Sequence, residues 1–124
     1  MATILVLDDD RGILTTLETV LRMAGHKVIT ATNGNRAADT LRAIQADLLI
    51  ADLVMPDREG LETIQETRAQ YPSLPIIAIS GATFGPDGLL LDIAKKMGAD
   101  AALAKPFTMM QLTQTVARLL GERN

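Results

Sequence analysis

The sequence predicts an α/β fold, a parallel sheet covered by helices on both faces, on two observations. Short apolar or β-branched runs alternate with longer segments of helical period five times along the chain. Its 124 residues leave room for one sizeable core. The first run, 3–7, ends in three aspartates. After it, Ile13, Leu14, Leu17, Val20 and Leu21 fall on one helical face, and Gly25 stands where a glycine stops a helix. A second strand at 27–31 leads through the turn signal Asn33-Gly34 to a helix whose apolar face is Ala37, Ala38, Leu41 and Ile44. The third strand, 47–51, precedes a helix marked by Leu61 and Ile64 that stops before Pro72. The fourth strand, 75–79, is followed by Leu90, Ile93, Ala94 and Met97 on a helix that halts at Gly98. The fifth strand, 101–104, feeds a last helix with Met109, Leu112, Val116 and Leu119 on its inner face.

A net charge of −3 and an isoelectric point near 5.0 give no broad attraction to nucleic acid or anionic lipid, so direct nucleic-acid binding is not expected. The absence of cysteine excludes disulfides, thiolate metal sites and a cysteine nucleophile. No apolar run approaches membrane-spanning length and no basic leader precedes the first strand, so a cytoplasmic protein is the expectation.

Parallel strands joined by right-handed crossovers set all their carboxyl ends along one edge, where open α/β sheets bind ligands. That edge gathers Asp8, Asp9 and Asp10 after the first strand, Asp52 after the third, Ser80 after the fourth and Lys105 after the fifth. Adjacent carboxylates repel one another unless a cation or a basic side chain neutralises them. The plainer reading of the triplet is a solvated loop in which Asp9 or Asp10 caps the next helix. A lone serine or lysine is ordinarily solvated surface, and His26, beside Gly25, reads as a surface turn residue.

Together these residues resemble the receiver domain of two-component response regulators. The resemblance rests on Val6-Leu7-Asp8-Asp9-Asp10, on Asp52-Leu53-Val54-Met55-Pro56-Asp57-Arg58-Glu59-Gly60, on Ile77-Ala78-Ile79-Ser80-Gly81, and on Gly98-Ala99-Asp100 with Lys105-Pro106-Phe107. It runs from about residue 3 to about residue 120. It implies a flavodoxin-like doubly wound (βα)5 fold, strand order 2-1-3-4-5, as one receiver domain over 1–124 without an output domain, in the manner of single-domain chemotaxis regulators. It further implies that Asp52 accepts a phosphoryl group from a histidine kinase or histidine phosphotransfer protein, a task suited to a carboxylate, which is ordinarily ionised at neutral pH. Mg²⁺ (or Mn²⁺) would be held by Asp9, Asp52 and the backbone carbonyl of Val54, with Asp8 acting through water. Ser80 and Lys105 would bind the phosphoryl oxygens, and the Lys105-Pro106 peptide would be cis. Asp10 would support the helix start by its charge. The fourth helix, fifth strand and fifth helix would form a partner or dimer face. Such a module is a signalling phosphoacceptor that catalyses only its own phosphorylation and slow dephosphorylation.

The chain also departs from that family. Ala102 stands where the family carries the Tyr, Phe or His that swings inward on phosphorylation. The glycine-rich segment 81–88 offers Phe84 as a replacement switch, or as a plug for the core edge beside Met97. Val54 and Ala82 stand at the two positions that in that family control the water hydrolysing the aspartyl phosphate, and being apolar they cannot orient it, so the resemblance implies a long-lived aspartyl phosphate. Leu89, Leu90, Leu91, Met109 and Met110 are expected mostly in the core. A flavodoxin-type cofactor binder is rejected, because three aspartates repel a phosphate unless a metal intervenes. The alternative left standing is a receiver-like interaction module that works without phosphorylation.

Overall fold

The computed structural model describes residues 1–53, 60–81 and 89–121. Strands and helices alternate as β1 (Thr3–Leu7), α1 (Arg11–Met23), β2 (Lys27–Ala31), α2 (Ala37–Ile44), β3 (Leu48–Asp52), α3 (Gly60–Gln70), β4 (Ile76–Ser80), α4 (Leu89–Met97), β5 (Ala101–Ala104) and α5 (Met109–Gly121). The strands form one parallel sheet in the order β2-β1-β3-β4-β5, the flavodoxin-like order that the resemblance implies.

Alternation along the strands divides the core. Ile4, Val6, Leu48, Ile50, Ile77 and Ile79 point to one face, where Leu14, Leu17 and Leu21 of α1 and Leu112 and Val116 of α5 cover them. Leu5, Leu7, Leu49, Ala51, Ile76 and Ala78 point to the other, under Leu41 of α2, Ile64 of α3 and Ala94 of α4. The three inner strands are therefore buried throughout β3 and β4 and nearly so in β1, which is why they read as unbroken apolar runs.

β3 and β4 each begin one residue later than the spacing predicts. Asp47 pairs with Thr3 just ahead of the strand, its N–H donating to the Thr3 carbonyl at 2.7 Å and its Oδ2, in place of a backbone carbonyl, accepting the Thr3 N–H at 2.8 Å. Pro75 has no N–H to give and enters through its carbonyl, which accepts from Leu49 at 3.0 Å. The shift places Asp52 and Ser80 as the last residues of their strands rather than the first beyond them.

Helix ends carry their own signals. Gly25, at φ 96°, closes α1. Thr108 and Gln111 make a reciprocal capping box at the start of α5, each backbone N–H donating to the other's side chain at 2.8 and 2.9 Å. Gly98, at φ 129°, ends α4, and a Cβ there would lie 2.9 Å from Arg68 Cγ. Arg68 donates to the Gly98 carbonyl from Nε at 3.0 Å and from Nη2 at 2.7 Å, and also to Asp100 Oδ2 at 2.7 Å. That carboxylate in turn accepts the Ile76 N–H at 2.8 Å, so one arginine ties α3 and the end of α4 to the starts of β4 and β5.

The expected packing of the last two helices needs correction. Met97 is 42% exposed, because the chain turns beneath α4 at Gly98 and Ala99 fills the space there, its N–H returning to the Ala94 carbonyl at 3.0 Å. Leu89, Met109 and Met110 are exposed, while Leu91 packs on the core. The capping box starts α5 at Met109 and leaves Leu112 and Val116 as its inward residues.

Candidate functional site

Three strand ends and one loop build the site. β1 stops at Leu7, and Asp8 keeps the ladder for one more bond, its N–H donating to the Ala31 carbonyl at 3.2 Å. Its side chain is fully buried, with Oδ1 accepting the Asp10 N–H at 2.9 Å and Oδ2 accepting from Lys105 Nζ at 2.8 Å. Asp9 is exposed. Asp10 turns outward to cap α1, its Oδ1 accepting from Gly12 N at 2.9 Å and Ile13 N at 3.2 Å. Asp52 ends β3 nearly buried, with Oδ2 accepting from Lys105 Nζ at 3.1 Å.

Ser80 ends β4, also buried, and its carbonyl accepts the Lys105 N–H at 2.8 Å. That bond carries the β4–β5 pairing one step past Ala104, and the following Lys105-Pro106 peptide is cis. The lysine stem lies flat along Gly81, where an added Cβ would meet Lys105 Cδ at 3.4 Å. The ammonium thereby reaches back across the sheet edge to Asp8 and Asp52 together.

The electrostatics follow from burial and company. Burial pushes the Asp8 carboxyl above its ordinary value, against the lowering effects of Lys105 and the Asp10 N–H, and the neighbouring Asp52 charge adds to the rise. Burial pulls Lys105 down, but its bonds to Asp8 and Asp52 outweigh it, so its pKa is raised and the ammonium form is held. One oxygen from each of Asp8, Asp9 and Asp52 lies within 4.8 Å of the others. Three carboxylates gathered around one ammonium form an acidic cluster that could hold a metal ion. An all-oxygen set with one exposed member matches a cation that keeps part of its water.

Of the sequence-derived candidates, Asp8, Asp9, Asp52 and Lys105 come together, and Ser80 joins them through the Lys105 backbone. Val54, Ala82 and Phe84 lie outside the described residues. Ala102 is partly buried on the α3–α4 side of the sheet, opposite Ala78, where it offers only a methyl group. Two features escaped the sequence reading. An apolar cleft of about 370 Å³ opens beside Lys105, lined by Ile13, Leu17, Phe107 and Met109 among others. His26 is not simply a surface residue, since its Nδ1 accepts the Ala2 N–H at 3.2 Å and helps pin the start of β1. No helix among the described residues is long and apolar enough to cross a membrane.

Comparison with known proteins agrees with this geometry. The family model described as response regulator receiver domain matches residues 4–117. The chain is 39% identical over 121 residues to the DNA-binding transcriptional regulator NtrC of Azospirillum brasilense, covering 97% of this chain and 24% of that protein. It is 32% identical to the transcriptional regulatory protein PrrA of Mycobacterium tuberculosis, covering 97% of this chain and 50% of the relative. The chain thus spans about a quarter to a half of the length of these curated relatives. Among solved structures, chemotaxis protein CheY4 of Vibrio cholerae superposes with a TM-score of 0.85 at 30% identity, over 96% of this chain and 98% of that one.

Proposed function

Since this chain belongs to the response regulator receiver domain family of two-component signalling, we propose that Asp52 is its phosphoacceptor, charged by a phosphohistidine on a histidine kinase or histidine phosphotransfer protein. The observation that carries this reading is the shared lysine, Lys105 Nζ lying 2.8 Å from Asp8 and 3.1 Å from Asp52. Holding Oδ2 of Asp52, the ammonium orients that carboxylate at the edge of the sheet. In the transfer, an Asp52 oxygen bonds to phosphorus, the phosphorus–nitrogen bond breaks, and the released imidazole nitrogen takes up a proton.

Asp9, Asp52 and the Val54 carbonyl would hold Mg²⁺ or Mn²⁺, with Asp8 acting through water; bound there, the cation neutralises charge on the phosphoryl oxygens. Lys105 exchanges a carboxylate for a phosphoryl oxygen, and the Ser80 hydroxyl donates to another. Exposed Leu89, Met97, Met109 and Met110 give α4 and α5 the apolar surface of a partner or dimer face.

A second reading, an interaction module without phosphorylation, is favoured by Ala102, which puts a methyl group where the family carries its reporting ring. Incubation with Mg²⁺ and acetyl phosphate, followed by intact mass, separates the two. Wild type gaining one phosphoryl group while Asp52→Ala gains none supports phosphoacceptance; an unchanged wild-type mass supports the interaction module.

A further inference from the structure

We propose that Asp10 is a positioning residue for the cation site, acting through Asp8. The inference rests on the phosphoacceptor reading above. Asp8 is fully buried and its two oxygens have different anchors, Lys105 on Oδ2 at 2.8 Å and the Asp10 N–H on Oδ1 at 2.9 Å. The lysine is shared with Asp52, so it is free to follow charge arriving there. The Asp10 N–H has no such second partner to follow, and it is the anchor that stays.

Where that N–H points depends on the Asp10 backbone, at φ −86° and ψ 107°. The Asp10 side chain locks this conformation, because one oxygen bridges the N–H groups of Gly12 and Ile13 at 2.9 and 3.2 Å. Gly12 helps the close approach, since a Cβ there would sit 3.2 Å from the same oxygen. The cap of α1 is thus also the clamp on a buried carboxylate of the acidic cluster. Removing a partner that orients a metal-site carboxylate from behind typically weakens metal affinity by about 10–100-fold.

Two other roles make different demands. A cap alone would alter stability and leave cation affinity untouched. A purely electrostatic role would need the charge and not the hydrogen bonds. The test is a Mg²⁺ titration followed by backbone amide shifts, paired with thermal unfolding, on wild type, Asp10→Ala and Asp10→Asn. Asp10→Ala is expected to weaken Mg²⁺ binding by roughly fivefold, less than the loss of a direct outer-shell partner because the Asp10 N–H itself remains. Asp10→Asn, an equally good cap without charge, is expected to bind within about twofold of wild type. If alanine prevents folding, Asp10→Gly removes the same oxygen at little cost to the helix and is expected to show the same loss. Unchanged affinity in Asp10→Ala or Asp10→Gly overturns the proposal, and so does an Asp10→Asn loss equal to that of alanine. A wild type that binds no Mg²⁺ overturns the site reading itself, a distinguishable result.

Discussion

Lys105 is the residue on which the site's electrostatics turn, because its ammonium is the cation placed between two buried carboxylates. Replacing it with alanine leaves Asp8 and Asp52 facing each other unneutralised. Lys105→Ala is therefore expected to lose about 1–3 kcal/mol in urea unfolding, less than the roughly 3–5 kcal/mol of a fully buried pair because Lys105 keeps some contact with water. Saturating Mg²⁺ is expected to recover more stability in this variant than in wild type, since it replaces the missing positive charge. His26 carries a pH dependence of its own. Burial, with the nearby N-terminal ammonium, lowers its pKa below the ordinary 6.5. The unfolded chain then binds that proton more readily than the folded one. The stabilisation is complete above pH 6.5 and is lost as pH falls through the lower folded value. The N-terminal ammonium acts on this imidazole, and Asp47 lines the same cleft with its carboxylate bonded to the Thr3 N–H. Thermal unfolding is expected to show a fall in stability between neutral and mildly acidic pH that His26→Gln flattens.

At the scale of elements, the ends of helices set where the sheet's working edge lies. Gly98 combines a positive φ with a Cβ position 2.9 Å from Arg68 Cγ, and Arg68 cannot yield while its guanidinium holds the Gly98 carbonyl and Asp100. Gly98→Ala is expected to cost about 1–3 kcal/mol in urea unfolding, with the backbone strain and the crowding acting together. Thr108→Ala removes one half of the α5 capping box and is expected to cost about 1 kcal/mol. Gly98 precedes β5, at the sheet edge opposite Asp52, and its replacement is expected to leave phosphorylation intact. The Arg68 hub also helps to dock α3, whose apolar signal in sequence is only Leu61 and Ile64: its end is held by an arginine bonded to Gly98 and Asp100 in the α4–β5 turn, and Asp100 is bonded on to Ile76 of β4.

At the scale of the whole molecule, the ten elements among the described residues were legible because inner strands of a parallel sheet are buried on both faces and stand out as apolar runs between helical periods. The edge that gathers the aspartates was legible for a topological reason, since parallel strands must end together. What sequence withheld was orientation at the ends of elements. Asp10 was expected at the helix start and caps it, but nothing in Asp8-Asp9-Asp10 reveals that the first is buried and the second exposed, because the chain leaves the regular strand there. The Asp10–Asp8 bond uses a backbone N–H and leaves no side-chain signature. Met97 and Met109 keep helical period with buried neighbours, yet each sits in a terminal turn that overhangs the core. His26 could not be connected to Ala2 before the pairing of β1 with β2 was known.

The central claim, that this edge uses a cation to place a phosphoryl group on Asp52, is tested most directly by phosphorus NMR of the protein with acetyl phosphate. An acyl-phosphate resonance on the protein is expected with Mg²⁺, is expected to vanish with excess chelator, and is expected to be missing from Asp52→Asn. A resonance that survives in Asp52→Asn, or a folded, Mg²⁺-loaded wild type that shows none, would contradict the account.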